Sequence, residues 1–282
     1  MAGMSELVST GWLAEHAGEP ALVVLDASAH LPAAGRDPAA EHDAAHIPGA
    51  RFLDLASLTD RASPVPAALP SADQFASRLA ELGIGAGTRV VLYDDSEIRT
   101  AARAWFIFRQ HGFVDVAILD GGLAKWRAEE HLLESGTATA DRAGDWQPGS
   151  GSMAVRGKAD LHANLDSAAE QVLDARSHAR FAAEEPEANA ALAGGHIPHS
   201  LNLPYKAVFA SDGTFLPPAQ LRATFERAGI DWTRPVVTTC GSGVTAAVLL
   251  FAMRLAGKTD TALYDGSWSE WGADPATPKA TG

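Results

Sequence analysis

The sequence predicts an α/β protein made of two tandem copies of one domain, each a parallel sheet with helices on both faces. Two observations carry this. First, a shift of 145 residues lays "RVVLYDDSEIRTAARAWFIFR" (89–109) over "RPVVTTCGSGVTAAVLLFAMR" (234–254), and Arg89, Val91, Thr100, Ala101, Ala102, Phe106 and Arg109 meet identical partners. The match continues through Gly112 and Gly257, Asp115 and Asp260, "DG" at 120 and 265, and Trp126 and Trp271. Second, strand-like and helix-like runs alternate within each copy with short connections, the pattern of parallel strands joined by crossover helices.

The elements follow in order. "ALVVLDAS" (21–28) and "QVLDARS" (171–177) are short apolar runs of the length of buried strands. "HIPGA" (46–50) and "HIPHS" (196–200) align at a slightly larger shift, as do "LDAS" and "LDAR". "VVLYDD" and "PVVTT" are β-rich and run into loops. Apolar positions at helical spacing follow in "TAARAWFIFRQHG" and "TAAVLLFAMRLAG", each closed by a glycine at the C-terminal cap, Gly112 and Gly257. "VDVAILDGG" and "TDTALYDGS" supply a further strand each. The expected division is a first domain over 1–135, a polar Gly/Ser-rich linker over 136–158 and a second domain over 159–282.

Composition narrows the function. An apolar fraction of 46% is that of a globular protein with a proper core. A net charge of −13 repels nucleic acid and anionic membrane surfaces, so neither is an expected partner. No apolar stretch approaches the ~20 residues of a membrane span. The first twenty residues carry no basic segment followed by an apolar one, so no signal peptide is expected. One cysteine rules out an internal disulfide and fits a reducing compartment, with the cytoplasm as the expected location.

Features in both copies are expected to serve the fold, and features in one copy are candidates for chemistry. His46 and His196 occur in both and read as loop anchors. "HDAAH" (42–46) has the i, i+4 spacing of a helical metal pair, but Leu192 stands at the matching place and Pro48 follows at once. No metal and no cofactor are therefore expected. "GIGAGT" (83–88) precedes its strand instead of following it, so it is not a dinucleotide loop.

Only the second copy carries Cys240, in "TTCGSGVTAA"; the first has Asp95 in its place, which makes that copy catalytically silent. Cys240 is expected at the C-terminal end of a parallel strand, where open α/β sheets place their ligand crevices. The following helix, expected to begin near Thr245, points its N-terminus at the sulfur, and such a setting favours a reactive thiolate. Gly241 and Gly243 permit positive φ, which turns successive N–H groups inward as an anion-binding nest, and Thr245 suits the helix cap.

"CGSGVTA", with "DAR…RF", "GHIP" and "YDGSWSEW" around it, resembles the rhodanese superfamily over nearly the whole chain. The loop is similar to that of the 3-mercaptopyruvate sulfurtransferases; thiosulfate sulfurtransferases typically carry basic residues there, suited to a dianionic donor. The resemblance implies that the Cys240 thiolate takes the sulfur of 3-mercaptopyruvate as a persulfide, held by the loop of Gly241, Gly243, Val244 and Thr245. Pyruvate leaves, and a thiol such as thioredoxin, or cyanide, accepts the sulfur. It assigns proton transfer to Ser242, whose hydroxyl could equally make a local turn contact. It assigns the substrate carboxylate to Arg180, with Arg176 a possible second contact or a tie between loops.

Two departures from the family pattern stand out. Asn189 occupies the place of a second substrate arginine, and Ala56 and Ala67 occupy the expected places of an acidic residue and a histidine in the proton relay. A cysteine phosphatase is excluded because position 246 is alanine where that chemistry needs an arginine clamp. Thiosulfate as donor, and a non-catalytic binding module, remain as alternatives.

Overall fold

The computed structural model describes residues 4–138, 140 and 143–282. The chain forms two compact units. One contains the chain up to Asp60, Leu69–Ser152 and Ala210–Phe215; the other contains Arg61–Ala68, Met153–Phe209 and Leu216–Gly282.

The first unit holds strands β1 (Leu7–Val8), β2 (Leu22–Asp26), β3 (Arg51–Phe52), β4 (Arg89–Tyr93) and β5 (Val116–Leu119), in the order β1-β5-β4-β2-β3. Every pairing is parallel. Around the sheet run helices α1 (Thr10–His16), α2 (Pro38–Ala44), α3 (Ala72–Glu81), α4 (Ala101–Gln110) and α5 (Gly122–Ala128). Strands β2 and β5 are buried along their full length and β4 beyond Arg89, as sheets covered on both faces must be. One face packs Val24, Val91, Tyr93 and Ala117 against Leu13, Leu123 and Trp126.

The second unit repeats the plan. Its strands β6 (Ala154–Arg156), β7 (Gln171–Asp174), β8 (Leu201–Asn202), β9 (Val236–Thr239) and β10 (Thr261–Tyr264) take the order β6-β10-β9-β7-β8, again all parallel. Helices α6 (Lys158–Ser167), α7 (His178–Phe181), α8 (Pro218–Arg227), α9 (Val244–Leu255) and α10 (Ser267–Trp271) flank it. Helix α9 is apolar almost all round and buries Ala246 through Met253, the expected behaviour of a core helix. Among the described residues no helix is long and apolar enough to cross a membrane.

The stretch read as a linker differs from expectation, with residues 139, 141 and 142 of it outside the described set. Residues 144–152 are tied to the first unit: Gly144 N–H donates to Ala80, Gly149 to His111 and Ser152 to Arg109. Trp146 packs edge-on against Phe75. Gly151 lies so close to the Gln110 carbonyl that a Cβ would stand 1.7 Å from its oxygen. The boundary between units falls at Ser152/Met153, and Ala154–Arg156 is already an edge strand. Low periodicity here reflects docking mainly through the backbone, with Trp146 the one large apolar side chain of 144–152 that packs inward.

His46 and His196 occupy matching positions. Each exchanges backbone hydrogen bonds with a later segment, His46 with Glu134 and His196 with Ala280. The His196 ring stacks on Phe181, and the His46 ring on His42, which itself bonds Asp26.

Candidate active site

Cys240 follows the last residue of β9 and is 2% exposed. Its backbone is fixed from the far side by the turn at the end of β10. The Ser267 hydroxyl accepts from Cys240 N–H at 3.2 Å and donates to the Tyr264 carbonyl at 2.9 Å. The Trp268 N–H donates to the Cys240 carbonyl at 2.9 Å, and Ser269 N–H to that of Gly241 at 2.8 Å. Both carbonyls are thus turned toward α10. The N–H groups of Gly241, Ser242 and Gly243 find no acceptor among the described residues.

Helix α9 begins at Val244, with Gly243 as its N-cap at φ +78°, ψ −6°. This left-handed conformation strains any residue with a Cβ and explains the glycine. Thr245 therefore lies inside the first turn and is not the cap; no side chain caps the helix. The sharp turn at Gly243 brings the chain into helical geometry sooner than the sequence pattern indicated. Gly241 does not have positive φ either. Its lack of a side chain serves close approach: a Cβ there would stand 3.3 Å from Nη2 of Arg180. Ser242, Val244 and Thr245 are half-buried.

Arg180 sits in α7 beside this loop, its side chain 32% exposed. Its Nε donates to Glu187 Oε2 at 3.1 Å, and Nη2 bonds the same oxygen. The other oxygen of Glu187 accepts from Arg176 Nη1 at 2.6 Å. Arg176 is buried and held on several sides: Nε and Nη2 bond Asp174, Nη2 also bonds the Gly195 carbonyl, and the guanidinium lies 4.5 Å over the Trp268 ring. Burial opposes its charge, but Asp174 and Glu187 outweigh burial and its pKa is raised. Arg176, its side chain 1% exposed, spends its charge on Asp174 and Glu187 and ties these loops together. Asn189 is exposed, and its Oδ1 accepts from Ala191 N–H at 3.0 Å in a local turn, away from the second-arginine role the family pattern assigns to that position.

The first unit closes the equivalent loop on itself. Asp94, aligned with Thr239, is buried, and its carboxylate accepts from Ser96 N–H at 3.1 Å and Ala101 N–H at 2.7 Å. Burial raises its pKa to about 6, against the pull of those N–H groups. Thr100 donates to the Ala27 carbonyl at 2.7 Å. Asp95, at the cysteine position, bonds Arg36 and Arg127, each at 3.1 Å. In the second unit Thr239 is equally buried, and its hydroxyl has no partner among the described residues. One loop contains its own anion, and the other does not.

The model of the Rhodanese-like domain matches residues 9–129 and again 158–274, most of the chain. The chain belongs to the rhodanese-like family. Among its rhodanese-like relatives, human 3-mercaptopyruvate sulfurtransferase is 40% identical over 275 residues, covering 94% of this chain and 91% of that one. Bovine thiosulfate sulfurtransferase is 39% identical over 272 residues, covering 94% and 91%. The crystal structure of the 3-mercaptopyruvate sulfotransferase SseA from Escherichia coli superposes with a TM-score of 0.85 at 36% identity, covering 95% of this chain and 100% of that one.

Sequence reasoning missed Glu187 and Ser267. Ser267 is visible in retrospect as a copy-specific change, since Gly122 stands at the matching place in the first rhodanese-like repeat. Glu187 lies two residues from Asn189, and only coordinates reveal that its carboxylate links the two arginines.

Proposed function

We propose that this chain is a sulfurtransferase that accepts the sulfur of 3-mercaptopyruvate on Cys240. The observation that carries the reading is the loop after β9: a lone cysteine, three consecutive N–H groups without acceptors among the described residues and a helix start, with Arg180 alongside. The Cys240 thiolate attacks the substrate sulfur. An S–S bond forms, the carbon–sulfur bond breaks, and its electron pair leaves on carbon as the pyruvate enolate, which takes up a proton. Arg180 holds the substrate carboxylate, and Ser242 is assigned the proton transfer. The loop amides and the α9 N-terminus stabilise the negative persulfide. An acceptor thiolate such as that of reduced thioredoxin, or cyanide, then attacks the outer sulfur and returns the Cys240 thiolate. A lone reactive thiol of this kind suits a reducing, cytoplasmic setting.

Relatives named for mercaptopyruvate and for thiosulfate are almost equally similar to the chain, so identity does not choose between donors. The loop favours mercaptopyruvate: residues 241–245 contain no basic side chain to balance a dianion. A non-catalytic binding role describes the first unit, whose loop is closed by Asp94. The test is pyruvate release from 3-mercaptopyruvate with cyanide or a dithiol as acceptor. Release that disappears in Cys240→Ser supports the proposal; release unchanged by that substitution, or none from the wild type, overturns it.

A further inference from the structure

We propose that Glu187 is a specificity-determining residue, whose buried carboxylate offsets the charge Arg180 presents to the cysteine loop and biases the site toward singly charged donors. The inference rests on the sulfurtransferase reading and adds what sets the charge of the donor. Glu187 is not a surface partner of Arg180. Its side chain is 2% exposed, and one oxygen is already held by the buried guanidinium of Arg176, itself locked on Asp174. The remaining oxygen therefore has one fixed place, and Arg180 folds onto it through Nε and Nη2.

Two carboxylates and two guanidiniums form a single chain, Asp174–Arg176–Glu187–Arg180, so the group as a whole is neutral. It ends against Gly241, where a Cβ would lie 3.3 Å from Nη2 and 3.8 Å from Nη1 of Arg180. Nη1 forms no part of the grip on Glu187. Arg180 thus reaches the loop as a directional donor whose net charge is largely cancelled within hydrogen-bond distance. A carboxylate on a neutral or weakly polar carbon can be bound by that donor. A dianion needs a surplus of positive charge that this neutral chain does not supply, and Asn189 adds none.

Glu187→Gln keeps the shape and removes the compensating charge, while Arg176 retains Asp174. Glu187→Asp keeps the charge, and Arg180→Gln removes the cation. For each, two ratios are measured: kcat/KM for thiosulfate over that for 3-mercaptopyruvate, and the alkylation rate of Cys240 by anionic iodoacetate over that by neutral iodoacetamide. Cys240 is the only thiol, so the second ratio reads the potential at the sulfur whatever the reaction. Both ratios are expected to rise about five-fold in Glu187→Gln, the order of one unit charge several ångströms away at intermediate dielectric. They stay near wild type in Glu187→Asp, and the alkylation ratio falls in Arg180→Gln. A merely structural role lowers the individual rates together and leaves both ratios unchanged, which overturns the proposal. If the wild type uses neither donor while the alkylation ratio shifts as stated, the sulfurtransferase reading fails and the charge role of Glu187 stands.

Discussion

The carboxylate of Asp94 accepts a hydrogen bond from the N–H of Ala101 at 2.7 Å, at the first turn of α4. In the second unit Thr239 stands at the aligned position, next to Cys240, and offers no charge. Two loops of common plan therefore differ in charge: one holds a carboxylate of its own beside the helix start, and the other has an uncharged threonine there.

Introducing that side chain into the second loop is expected to close it. Thr239→Asp places a carboxylate beside Cys240, where it competes for the loop amides and repels an anionic sulfur. Sulfur transfer is predicted to fall on the order of 100-fold, the equivalent of a like charge worth ~2–3 kcal/mol. Circular dichroism and donor kinetics on the same preparation check it; near wild-type turnover would contradict the comparison.

Asp94 also gives a pH signature. Its carboxyl has a pKa of about 6 when folded, against 3.8 as the ordinary value, because it is buried. Between these values the folded state binds more protons, so this group's contribution is fully present below 3.8 and is lost as pH rises through about 6. Asp94→Asn removes that slope, which amounts to at most about one proton, or ~1.4 kcal/mol per pH unit. Urea denaturation of both proteins at several values between pH 4 and 7 measures the difference; parallel curves would refute it.

Arg176 and Arg180 are expected to separate cleanly. Arg176→Ala leaves Asp174 buried without its cation and Glu187 with Arg180 alone, and is predicted to cost about 3–5 kcal/mol of stability. Arg180→Ala removes a half-exposed group, leaves the melting temperature within a few degrees and raises KM for 3-mercaptopyruvate roughly 10-fold or more, the range of a hydrogen bond to a charged group. Thermal melts and steady-state kinetics test the pair together.

Ser267→Ala removes the acceptor for Cys240 N–H and the donor to Tyr264 while leaving the thiol in place. A net effect of about 1 kcal/mol on the loop is expected, seen as a several-fold slower loading of sulfur with little change in KM. Rapid-quench measurement of the loading step checks this, and a change confined to KM would argue against a positioning role.

Much of the fold is legible in the sequence because buried parallel strands write continuous apolar runs, as in "LVVLD", and because the repeat reports each element twice. The edge strands are not: β1, β3 and β8 are two residues long and carry no period. The stretch 144–152 misled for the opposite reason, since its backbone docks through hydrogen bonds that leave no apolar pattern. At the site, Cys240 and Arg180 stand out as residues unique to one copy. The ion-pair chain does not, because side chains such as Glu187 acquire meaning only from the partners that folding brings within reach.

The central claim is that the loop of the second unit holds a sulfur-bearing Cys240. Intact-mass spectrometry after brief exposure to 3-mercaptopyruvate, without an acceptor, tests it most directly. The account predicts the gain of one sulfur atom, localised to Cys240 by peptide mapping, absent from Cys240→Ser and removed by cyanide. An unchanged mass, or sulfur retained by the Cys240→Ser protein, would contradict it.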